Sequence, residues 1–501
     1  MDFVSLLDQQ ARTRPEQVAL RAQEREWSYA ALADAGRRAA AVLHGQGVRA
    51  GDRVALLCLN TPGFVLALLG AWRLGAAVVP INHKLQPPEL AYILQHSKAS
   101  VGIVDGTLAA RLAQADSSTR WLSTDSAAGG LACFDTLLEQ AWPAPSHESL
   151  PGAATLAEIL YTSGTTGRPK GCLHSHGNVF HAALCAAVST SLSPQERTLV
   201  AMPVWHSSPL NNWLLGTLLV GGTAVLMREY APQAFLETLE RERISFTFGA
   251  PIAFLAPLSV VPDVAAYDFS AMRLWAYGGG PLGADMARKL AQAYRSDRFM
   301  QVYGMTESGP LGTVLYPEEA IAKAGSIGRC AVPGVLLEVR HPDGQRCAPG
   351  ETGEIHMRSV AMMQGYLDDA SATAAAFDAE GWYRSGDLAR LDEDGYLYIV
   401  DRLKDMIVTG GENVYSKEVE DVLSTHPDVQ DVAVVGRPHP EWGETVTAVL
   451  VLKPARTWDE QGVRDFLAPR LAHYKIPRRY ELRDSLPRTA TGKLVKHLLR
   501  G

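Results

Sequence analysis

The stretch Tyr161-Thr-Ser-Gly-Thr-Thr-Gly-Arg-Pro-Lys-Gly171 follows directly on the apolar run Ile159–Leu160. Its glycines let backbone N–H groups approach a ligand closely, its four Ser and Thr hydroxyls are donors, and Lys170 adds a point charge, so the stretch suits a polyphosphate. It is not a Walker loop, because that motif needs Gly-x4-Gly-Lys-[Ser/Thr] opening a helix, whereas Pro169 precedes the lysine here. The stretch predicts a phosphate-binding loop, with a flexible Ser/Gly linker as the alternative interpretation.

The chain before and after this loop alternates between helix-like and strand-like patterns. Four segments show the alternation: Ser28 to about His44, Val54–Leu59, Phe64–Leu74 and Ala77–Ile81. This order predicts a doubly wound α/β layer. Residues 123–152 are rich in Ser, Gly and Pro and predict a surface loop. Beyond about residue 320, Asp-Gly turns at 343–344 and 394–395 predict hairpins, and a β-barrel-like part of the large body.

The last hundred or so residues have the size of a separate small domain. They follow a charged link, Asp401-Arg-Leu-Lys-Asp405, and contain a helical pattern from Ser416, apolar runs at Val432–Val435 and Val446–Leu452, and a second helical pattern to Leu471. We therefore predict an N-terminal α/β body over residues 1–400 and a small mobile α+β C-terminal domain over residues 401–501.

Composition and charge limit the classes of partner. The 501 residues are 47% hydrophobic and 20% charged, which is ordinary for a folded protein, and the net charge is −7. Because no global basic field is present, we expect no nucleic-acid partner, and an anionic ligand must be held by a local site. The oligomeric state cannot be deduced from the sequence.

The sequence also bears on cellular location. Met1-Asp2-Phe3 lacks the basic region of a secretory signal, and Arg73 or glycines interrupt the two most apolar stretches, Phe64–Ile81 and Leu210–Met227. The six cysteines include no Cys-x-x-Cys pair, and no His stands at metal-ligand spacing. We therefore expect a cytoplasmic protein with free thiols and without an integral membrane segment.

Seven further motifs follow the loop in order: Pro203-Val-Trp-His206, Tyr277-Gly-Gly-Gly-Pro-Leu282, Gln301-Val-Tyr-Gly-Met-Thr-Glu-Ser308, Tyr383-Arg-Ser-Gly-Asp387, Asp401-Arg-Leu-Lys404, Gly410-Gly-Glu-Asn413 and Pro487-Arg-Thr-Ala-Thr-Gly-Lys493. Over nearly its whole length the chain resembles the adenylate-forming superfamily, which includes acyl-CoA synthetases, peptide-synthetase adenylation domains and firefly luciferase. The resemblance implies that a carboxylate attacks the α-phosphate of ATP, giving acyl-AMP and pyrophosphate, and that the thiol of coenzyme A then expels AMP.

The resemblance also implies the roles of individual residues in the first step. The β- and γ-phosphates would be wrapped by the loop residues Thr162, Ser163, Gly164, Thr165, Thr166, Gly167 and Lys170. Thr306 would touch the α-phosphate and Glu307 would hold Mg²⁺, a hard cation that prefers oxygen ligands. The adenine would lie between Gly279-Gly280-Pro281 and Tyr303, and the ribose on Asp387 and Arg402.

Residues of the C-terminal domain would alternate between the two steps. Lys493 would bridge the carboxylate and the α-phosphate during adenylation, although a basic residue in this Lys/Arg-rich tail is more often a solvated one. Rotation at a hinge matching Lys404 would then replace Lys493 by Gly410 and Gly411, whose small backbone lets the pantetheine arm of coenzyme A pass. An ordinary Gly-Gly turn is the alternative interpretation.

The acyl pocket is implied at positions that are mostly apolar. His206 would gate the pocket, and the lining would comprise Ser207, Ser208, Asn211, Phe248, Ala276, Tyr277, Gly304 and Leu311. Because none of these is Arg or Lys, a dicarboxylate substrate is disfavoured, whereas a medium-chain fatty acid and an aryl acid remain undivided.

Three rival functions share parts of the pattern. An enzyme that adenylates an amino acid or aryl acid and loads a carrier protein is the nearest rival. Its amino-acid branch places an Asp on the substrate ammonium, but no Asp occurs between Met202 and Arg228, and we expect no carrier domain after residue 501. Luciferase-type oxygenation shares every motif. A non-enzymatic ligand sensor is disfavoured because four predicted site residues are all retained, namely Lys170, Glu307, Asp387 and Lys493.

Overall fold

The computed structural model describes residues 2–115, 118–140, 142–143, 150–162, 168–409, 412–440, 442–488 and 494–500. Its strands in chain order are β1 (Val18–Ala22), β2 (Arg25–Ser28), β3 (Arg53–Leu57), β4 (Ala77–Pro80), β5 (Val101–Asp105), β6 (Arg120–Thr124), β7 (Leu156–Thr162), β8 (Lys170–Ser175), β9 (Arg197–Val200), β10 (Thr223–Leu226), β11 (Phe246–Gly249), β12 (Leu274–Gly278), β13 (Phe299–Gly304), β14 (Gly312–Leu315), β15 (Cys330–Ala331), β16 (Val335–Arg340), β17 (Thr352–Ser359), β18 (Gly365–Tyr366), β19 (Tyr383–Leu391), β20 (Leu397–Arg402), β21 (Ile407–Thr409), β22 (Glu412–Val414), β23 (Val429–His439), β24 (Gly443–Leu452) and β25 (Arg479–Leu482).

The α-helices are α1 (Phe3–Thr13), α2 (Tyr29–Gly45), α3 (Pro62–Arg73), α4 (Pro87–Ser97), α5 (Phe134–Leu138), α6 (His176–Ser189), α7 (Leu215–Val220), α8 (Pro232–Arg241), α9 (Pro251–Leu255), α10 (Pro257–Val260), α11 (Ala284–Ala293), α12 (Ala370–Ala376), α13 (Ser416–Ser424) and α14 (Glu460–Leu467). None of the helices in the described part of the chain has both the length and the apolar character needed to cross a bilayer.

Two large sheets dominate the first compact unit, which comprises Met1–Leu337 and Met357–Tyr383. One sheet has the order β18-β8-β7-β4-β3-β5-β6, and the other has the order β15-β14-β13-β12-β11-β9-β10-β1-β2. The inner strands β7-β4-β3-β5-β6 run parallel, as do β1-β10-β9-β11-β12-β13. Non-sequential neighbours joined by helical crossovers define the predicted doubly wound α/β layers, which are therefore confirmed.

The packing of α2 on α3 shows why the sequence forms this layer. Ser28 caps α2 by accepting a hydrogen bond from the Ala31 N–H, and the buried face of α2 is rich in Ala and Leu. A Cβ on Gly70 of α3 would lie 2.7 Å from the Cβ of Ala39 and 2.9 Å from a backbone nitrogen of α2, so only glycine fits this approach. The predicted helix-strand pair over Phe64–Ile81 is confirmed as α3 and β4.

The second compact unit comprises Glu338–His356 and Arg384–Gly501. It contains most of a four-stranded sheet, in the order β16-β17-β19-β20, and a sheet in the order β22-β21-β24-β23 with β25 alongside β24. Within the described residues this four-stranded sheet contains the strands that the predicted Asp-Gly hairpins join, and it is not a closed barrel. Val419, Val434 and Val463 from α13, β23 and α14 meet in one apolar core, which confirms the small α+β fold. The boundaries of these two compact units differ from the predicted division into residues 1–400 and 401–501. The predicted division separates a body from a mobile domain, and it stays a prediction.

Candidate active site

The phosphate-loop prediction falls on a β-hairpin of the seven-stranded sheet. Thr162 ends β7 and Lys170 begins β8, and the two residues are register partners across the antiparallel pair. The hairpin therefore fixes both ends of the loop. Residues 163–167, which include Ser163, Gly164, Thr165, Thr166 and Gly167, lie outside the described residues, and their role stays a prediction.

A short 3₁₀ turn, Thr306–Ser308, follows β13 and brings the predicted metal ligand to this hairpin. Glu307 Oε1 accepts hydrogen bonds from the Thr162 hydroxyl at 3.5 Å and from the Tyr366 hydroxyl at 3.2 Å. Lys170 Nζ lies 5.0 Å from the centre of the Tyr366 ring. Carboxylate and hydroxyl oxygens are the ligands that Mg²⁺ prefers, so the residues present fit this ion.

The surroundings of Glu307 keep its neighbours protonated. Burial, reinforced by the negative charge of Glu307, raises the pKa of Tyr366 well above its usual range, so the phenol remains a hydrogen-bond donor. Burial and the same carboxylate raise the pKa of Cys172, whose thiol lies beside Glu307 and Thr162. Cys172 is therefore a thiol and not a nucleophilic thiolate.

Three neighbouring parallel strands, β11, β12 and β13, end at the same edge of the nine-stranded sheet. Ligands of open parallel sheets bind outside the carboxyl ends of such strands. Phe248 and Ala276 are register partners near these ends, and the Phe248 ring comes within 3.2 Å of where a Cβ on Gly278 would stand. The ring of Trp213 lies 5.4 Å from the ring of Phe248. The geometry thus joins predicted acyl residues to the predicted adenine segment.

The other predicted pocket residues near this edge do not all lie on the same face of the sheet. Leu311 is buried in the same apolar cluster as Ala276 and Trp213. The Tyr277 ring packs in a different cluster with Leu282 and other residues, because consecutive strand residues point to opposite faces. Burial raises the pKa of Tyr277 to about 12. Gly304 is sterically required, since a Cβ there would lie 2.5 Å from the Pro310 carbonyl oxygen.

The glycines of the predicted adenine segment differ in their surroundings. Gly279 has a φ of +83°, and a Cβ on either Gly279 or Gly280 would meet nothing within 4 Å among the described residues. Gly278 is confined instead by the Val302 carbonyl oxygen, 2.9 Å from a hypothetical Cβ. The segment therefore leaves open space beside its backbone, as a planar ring requires, although the contacts of Pro281 and Tyr303 with adenine stay predictions.

His206 and Ser207 lead into a π-helical turn, Ser208–Leu214. Wide turns of this kind are frequent at functional sites. The His206 ring lies against the ring of Trp205, with 3.8 Å between their centres. The Ser207 and Thr306 hydroxyls form a hydrogen bond of 3.2 Å, so the structure brings the predicted pocket entrance to the predicted α-phosphate residue.

A buried carboxyl group lies beneath the π-helical turn. Asn211 Nδ2 donates a 2.6 Å hydrogen bond to Glu158 Oε1 on β7, and both side chains are almost completely buried. Burial raises the pKa of Glu158 to about 7, against the opposing effect of the hydrogen bond. His174 is the register partner of Glu158 on β8, and burial lowers its pKa to about 4.

The predicted ribose and hinge residues lie in the second unit. Asp387 on β19 and Arg402 on β20 are register partners, and Arg402 Nε lies 3.3 Å from Asp387 Oδ1. Lys404 is in the 3₁₀ turn that follows, where desolvation and the charge of Arg402 lower its pKa. The structure thus groups Asp387, Arg402 and Lys404, while their roles stay predictions.

Two further predictions fall outside the described residues. Gly410 and Gly411 connect the antiparallel strands β21 and β22, whose last register pair before them is Thr409 with Glu412. Lys493 follows Arg488, which forms an isolated antiparallel bridge with Leu494. Neither the pantetheine passage nor the position of Lys493 is therefore described.

Tyr366 and Glu158 are the site residues that the sequence analysis missed. Tyr366 is 59 positions from Glu307 and reaches it because β18 pairs with β8, a pairing that no spacing in the sequence announces. Glu158 does carry a signal, namely a carboxylate inside an otherwise apolar run directly before the phosphate-loop motif. A charged residue at a predicted core position is rare enough to be noted.

The fold and the site together define an enzyme of the adenylate-forming class, and comparison with known proteins is consistent with this. Family models described as "AMP-binding enzyme" and "AMP-binding enzyme C-terminal domain" match residues 7–367 and 418–493, so the chain belongs to this family.

Individual relatives place the chain in one branch of the family. The chain is 38% identical to a feruloyl-CoA synthase of Amycolatopsis sp. over 98% of its own length and 96% of the relative. It is 36% identical to the indoleacetate–CoA ligase of Aromatoleum aromaticum, over 100% and 98%. The o-succinylbenzoate CoA synthetase of Bacillus subtilis with ATP and magnesium ion superposes with a TM-score of 0.88 at 30% identity, over 99% and 98%.

The chain is therefore an AMP-forming acid:CoA ligase. With ATP and Mg²⁺ it converts a carboxylic acid into an acyl-AMP, which the thiol of coenzyme A then converts into an acyl-CoA.

Proposed function

We propose that the acid is aromatic, with a ring carried on a short acidic side chain or attached directly to the carboxyl group. The main observation in support is the position of the half-buried Phe248, whose ring lies at the carboxyl end of β11. The centre of the Trp213 ring is 5.4 Å from the centre of the Phe248 ring. Aromatic rings stack in offset or tilted pairs and contribute about 0.5–1.5 kcal/mol beyond their buried area. A rigid ring also loses less conformational entropy on binding than an alkyl chain does.

The relatives support the same substrate class. Their names specify feruloyl-CoA and indoleacetate, and a structure of an anthranilate CoA ligase with anthranoyl-AMP superposes with a TM-score of 0.86 at 27% identity. These three acids share an aromatic ring, whereas a long-chain fatty acid ligase of Mycobacterium tuberculosis is 37% identical. The Trp213 ring beside Phe248 supports the aryl acid as the proposed substrate.

The residues of the first unit would bring two anions together in the adenylation step. Lys170 would bind phosphate oxygens, and the Thr306 hydroxyl, oriented by Ser207, would contact the α-phosphate. Glu307 and Thr162 would hold Mg²⁺, which when bound neutralises phosphate charge. The protein groups supply position and charge, because a carboxylate that attacks a phosphate needs no base.

The second unit would complete the two steps. Asp387 and Arg402 would hold the ribose, and Lys493 would stabilise the charge that accumulates between carboxylate and α-phosphate. Rotation at Lys404 would then bring Gly410 and Gly411 to the adenylate for the attack by coenzyme A. We also propose a cytoplasmic location, since ATP and coenzyme A are intracellular co-substrates and all six cysteines, which lie within the described ranges, are free.

A panel of acids tests the substrate class. Cinnamic, arylacetic and benzoic acids are compared with fatty acids of matched carbon number, and AMP release is measured with and without coenzyme A. We expect kcat/KM to be at least about tenfold higher for an aryl acid, which corresponds to about 1.4 kcal/mol. A preference for the fatty acids would refute the proposed acid, and pyrophosphate release without any use of coenzyme A would support the carrier-loading alternative.

The variant Phe248→Leu tests whether the Phe248 ring causes the preference for aryl acids. It keeps an apolar side chain but removes the ring, so we expect the preference for aryl over fatty acids to shrink by about threefold to tenfold. Ile252→Leu is the control, because Ile252 is an exposed residue of α9 that follows β11. An unchanged preference in Phe248→Leu would mean that Phe248 does not contact the acid.

A further inference from the structure

A second cluster of chemically active side chains lies in the hairpin that connects β16 to β17. His341, Cys347 and Glu351 each offer one ligand atom, and these three atoms lie within 4.8 Å of one another. The cluster lies entirely within the second unit and shares no residue with the ATP, acid or coenzyme A positions. The sequence analysis passed over it because the spacing, His-x5-Cys-x3-Glu, matches none of the common metal motifs.

The backbone of this hairpin is held in place by its own hydrogen bonds. The His341 N–H donates to the Gln345 carbonyl at 2.8 Å, and the Cys347 N–H donates to the Val339 carbonyl at 2.9 Å. Gly344 and Gly350 have φ values of +89° and +87°, which are the conformations that turn the chain at these two points. The three side chains are thus brought together by the backbone without help from a ligand.

The side chains are also oriented toward one another. His341 Nε2 and Glu351 Oε2 are 3.0 Å apart, and the same oxygen accepts a 2.6 Å hydrogen bond from the Ala348 N–H. Cys347 Sγ lies against Gly353, where a Cβ would stand only 2.5 Å from the sulfur. Gly353 therefore leaves the space that the sulfur occupies, and the Ala348 N–H orients the carboxylate as outer hydrogen bonds do in metal sites.

The donor set selects the kind of cation. Imidazole nitrogen, thiolate sulfur and carboxylate oxygen are the three ligand types of Zn²⁺, whereas Mg²⁺ and Ca²⁺ prefer oxygen alone. A tetrahedral Zn²⁺ with bonds of about 2.0–2.3 Å needs ligand atoms about 3.4–3.6 Å apart, so closing the cluster takes side-chain movements of about 1 Å. Glu351 is exposed, so water can supply a fourth ligand.

We propose that His341, Cys347 and Glu351 form a binding site for Zn²⁺ or a cation of similar ligand preference. Binding replaces the thiol proton of Cys347, which leaves to solvent, with a Zn–S bond. The neutral imidazole of His341 binds through Nε2 and carries its proton on Nδ1, and Glu351 binds as a carboxylate. One proton, that of the Cys347 thiol, is released for each site filled when His341 is neutral and Glu351 is ionised, and no redox step is involved.

Cobalt titration of the full-length, untagged protein tests the site without using activity. Co²⁺ bound by a thiolate gives a sulfur-to-metal charge-transfer absorption and tetrahedral ligand-field bands, and we expect both at one Co²⁺ per chain. Zn²⁺ added afterwards should abolish the bands, whereas an excess of Mg²⁺ should not. Absence of the charge-transfer band at stoichiometric Co²⁺ would overturn the proposal.

Variants assign the ligands. Cys347→Ser and His341→Ala should each weaken Zn²⁺ binding at least about 100-fold in competition with a chromophoric chelator, since losing even an outer partner of a metal site costs about 10–100-fold. Cys330→Ser is the matched control, because Cys330 is an exposed cysteine outside the cluster. Equal Zn²⁺ affinity in wild type and Cys347→Ser, or loss of binding in Cys330→Ser, would refute the assignment, and unchanged melting temperatures would show that the variants are folded.

Discussion

Glu158 lowers the stability of the first unit as the pH rises. A carboxylate paired with a cation has the opposite effect. Its pKa is about 7 in the folded protein and 4.5 in the unfolded chain, because burial disfavours the charged form. The stabilisation from the protonated carboxyl is therefore fully present below pH 4.5 and is lost as the pH rises through 7. Relative to low pH, the two pKa values lower the free energy of unfolding by about 1 kcal/mol at pH 5.5 and by about 3 kcal/mol at pH 8.5. The difference between these two pH values is about 2 kcal/mol.

The variant Glu158→Gln isolates this effect, since glutamine keeps the oxygen that accepts from Asn211 but cannot ionise. Melting temperatures of wild type and variant are measured from pH 5.5 to 8.5. We expect the melting temperature of the variant to rise by about 3 °C relative to that of wild type between pH 5.5 and pH 8.5. In a protein of this size, a difference of about 2 kcal/mol in the free energy of unfolding shifts the melting temperature by this amount. Glu24→Gln, at an exposed turn, should show no such trend. A difference that stays constant with pH would refute the burial argument.

Three further outcomes test the assigned roles. Lys493→Ala should lower adenylation about 10²–10³-fold and spare thioester formation from supplied acyl-AMP, and equal loss in both steps would contradict its assignment to the first step. Gly411→Leu should leave single-turnover pyrophosphate release near wild type while acyl-CoA formation collapses, whereas a fall in both half-reactions with a lower melting temperature would indicate a structural turn. Tyr366→Phe should raise the KM for MgATP about tenfold by removing a hydrogen bond to a carboxylate, and an unchanged KM would mean that Tyr366 does not position Glu307.

Local pattern was enough to predict the layers of the fold. Arg73 interrupts the apolar stretch Phe64–Ile81, so the sequence predicted a buried helix followed by a strand, and the structure has α3 and β4 there. The interpretation of residues 123–152 as surface loop was wrong in two parts. Ser123 and Thr124 are fully buried and end strand β6. Phe134–Leu138 forms α5, and the Phe134 side chain is fully buried. A helix of five residues among Ser, Gly and Pro carries too little periodicity to be detected.

The site was predictable only where its residues are close in sequence. The hairpin ends Thr162 and Lys170 and the turn residues Thr306 and Glu307 belong to contiguous motifs, which the resemblance supplies. Contacts between motifs depend on strand order, since β18 adds to the hairpin strand β8 and thereby brings Tyr366 to Glu307. Strand pairing over nearly two hundred positions leaves no local signal, so this contact had to come from the structure.

Hydroxyl groups hold the Glu307 carboxylate in place without neutralising its charge. A basic partner would position the carboxylate equally well, but it would also cancel the charge that a metal ion needs. The Thr162 and Tyr366 hydroxyls at 3.5 and 3.2 Å orient Glu307 Oε1 while leaving its negative charge in place. Lys170 nevertheless lies in the same neighbourhood, over the face of the Tyr366 ring, where the ring's quadrupole attracts it. Tyr366 thus contacts both signs of charge at once, because its hydroxyl donates to the Glu307 carboxylate and its ring faces the Lys170 ammonium.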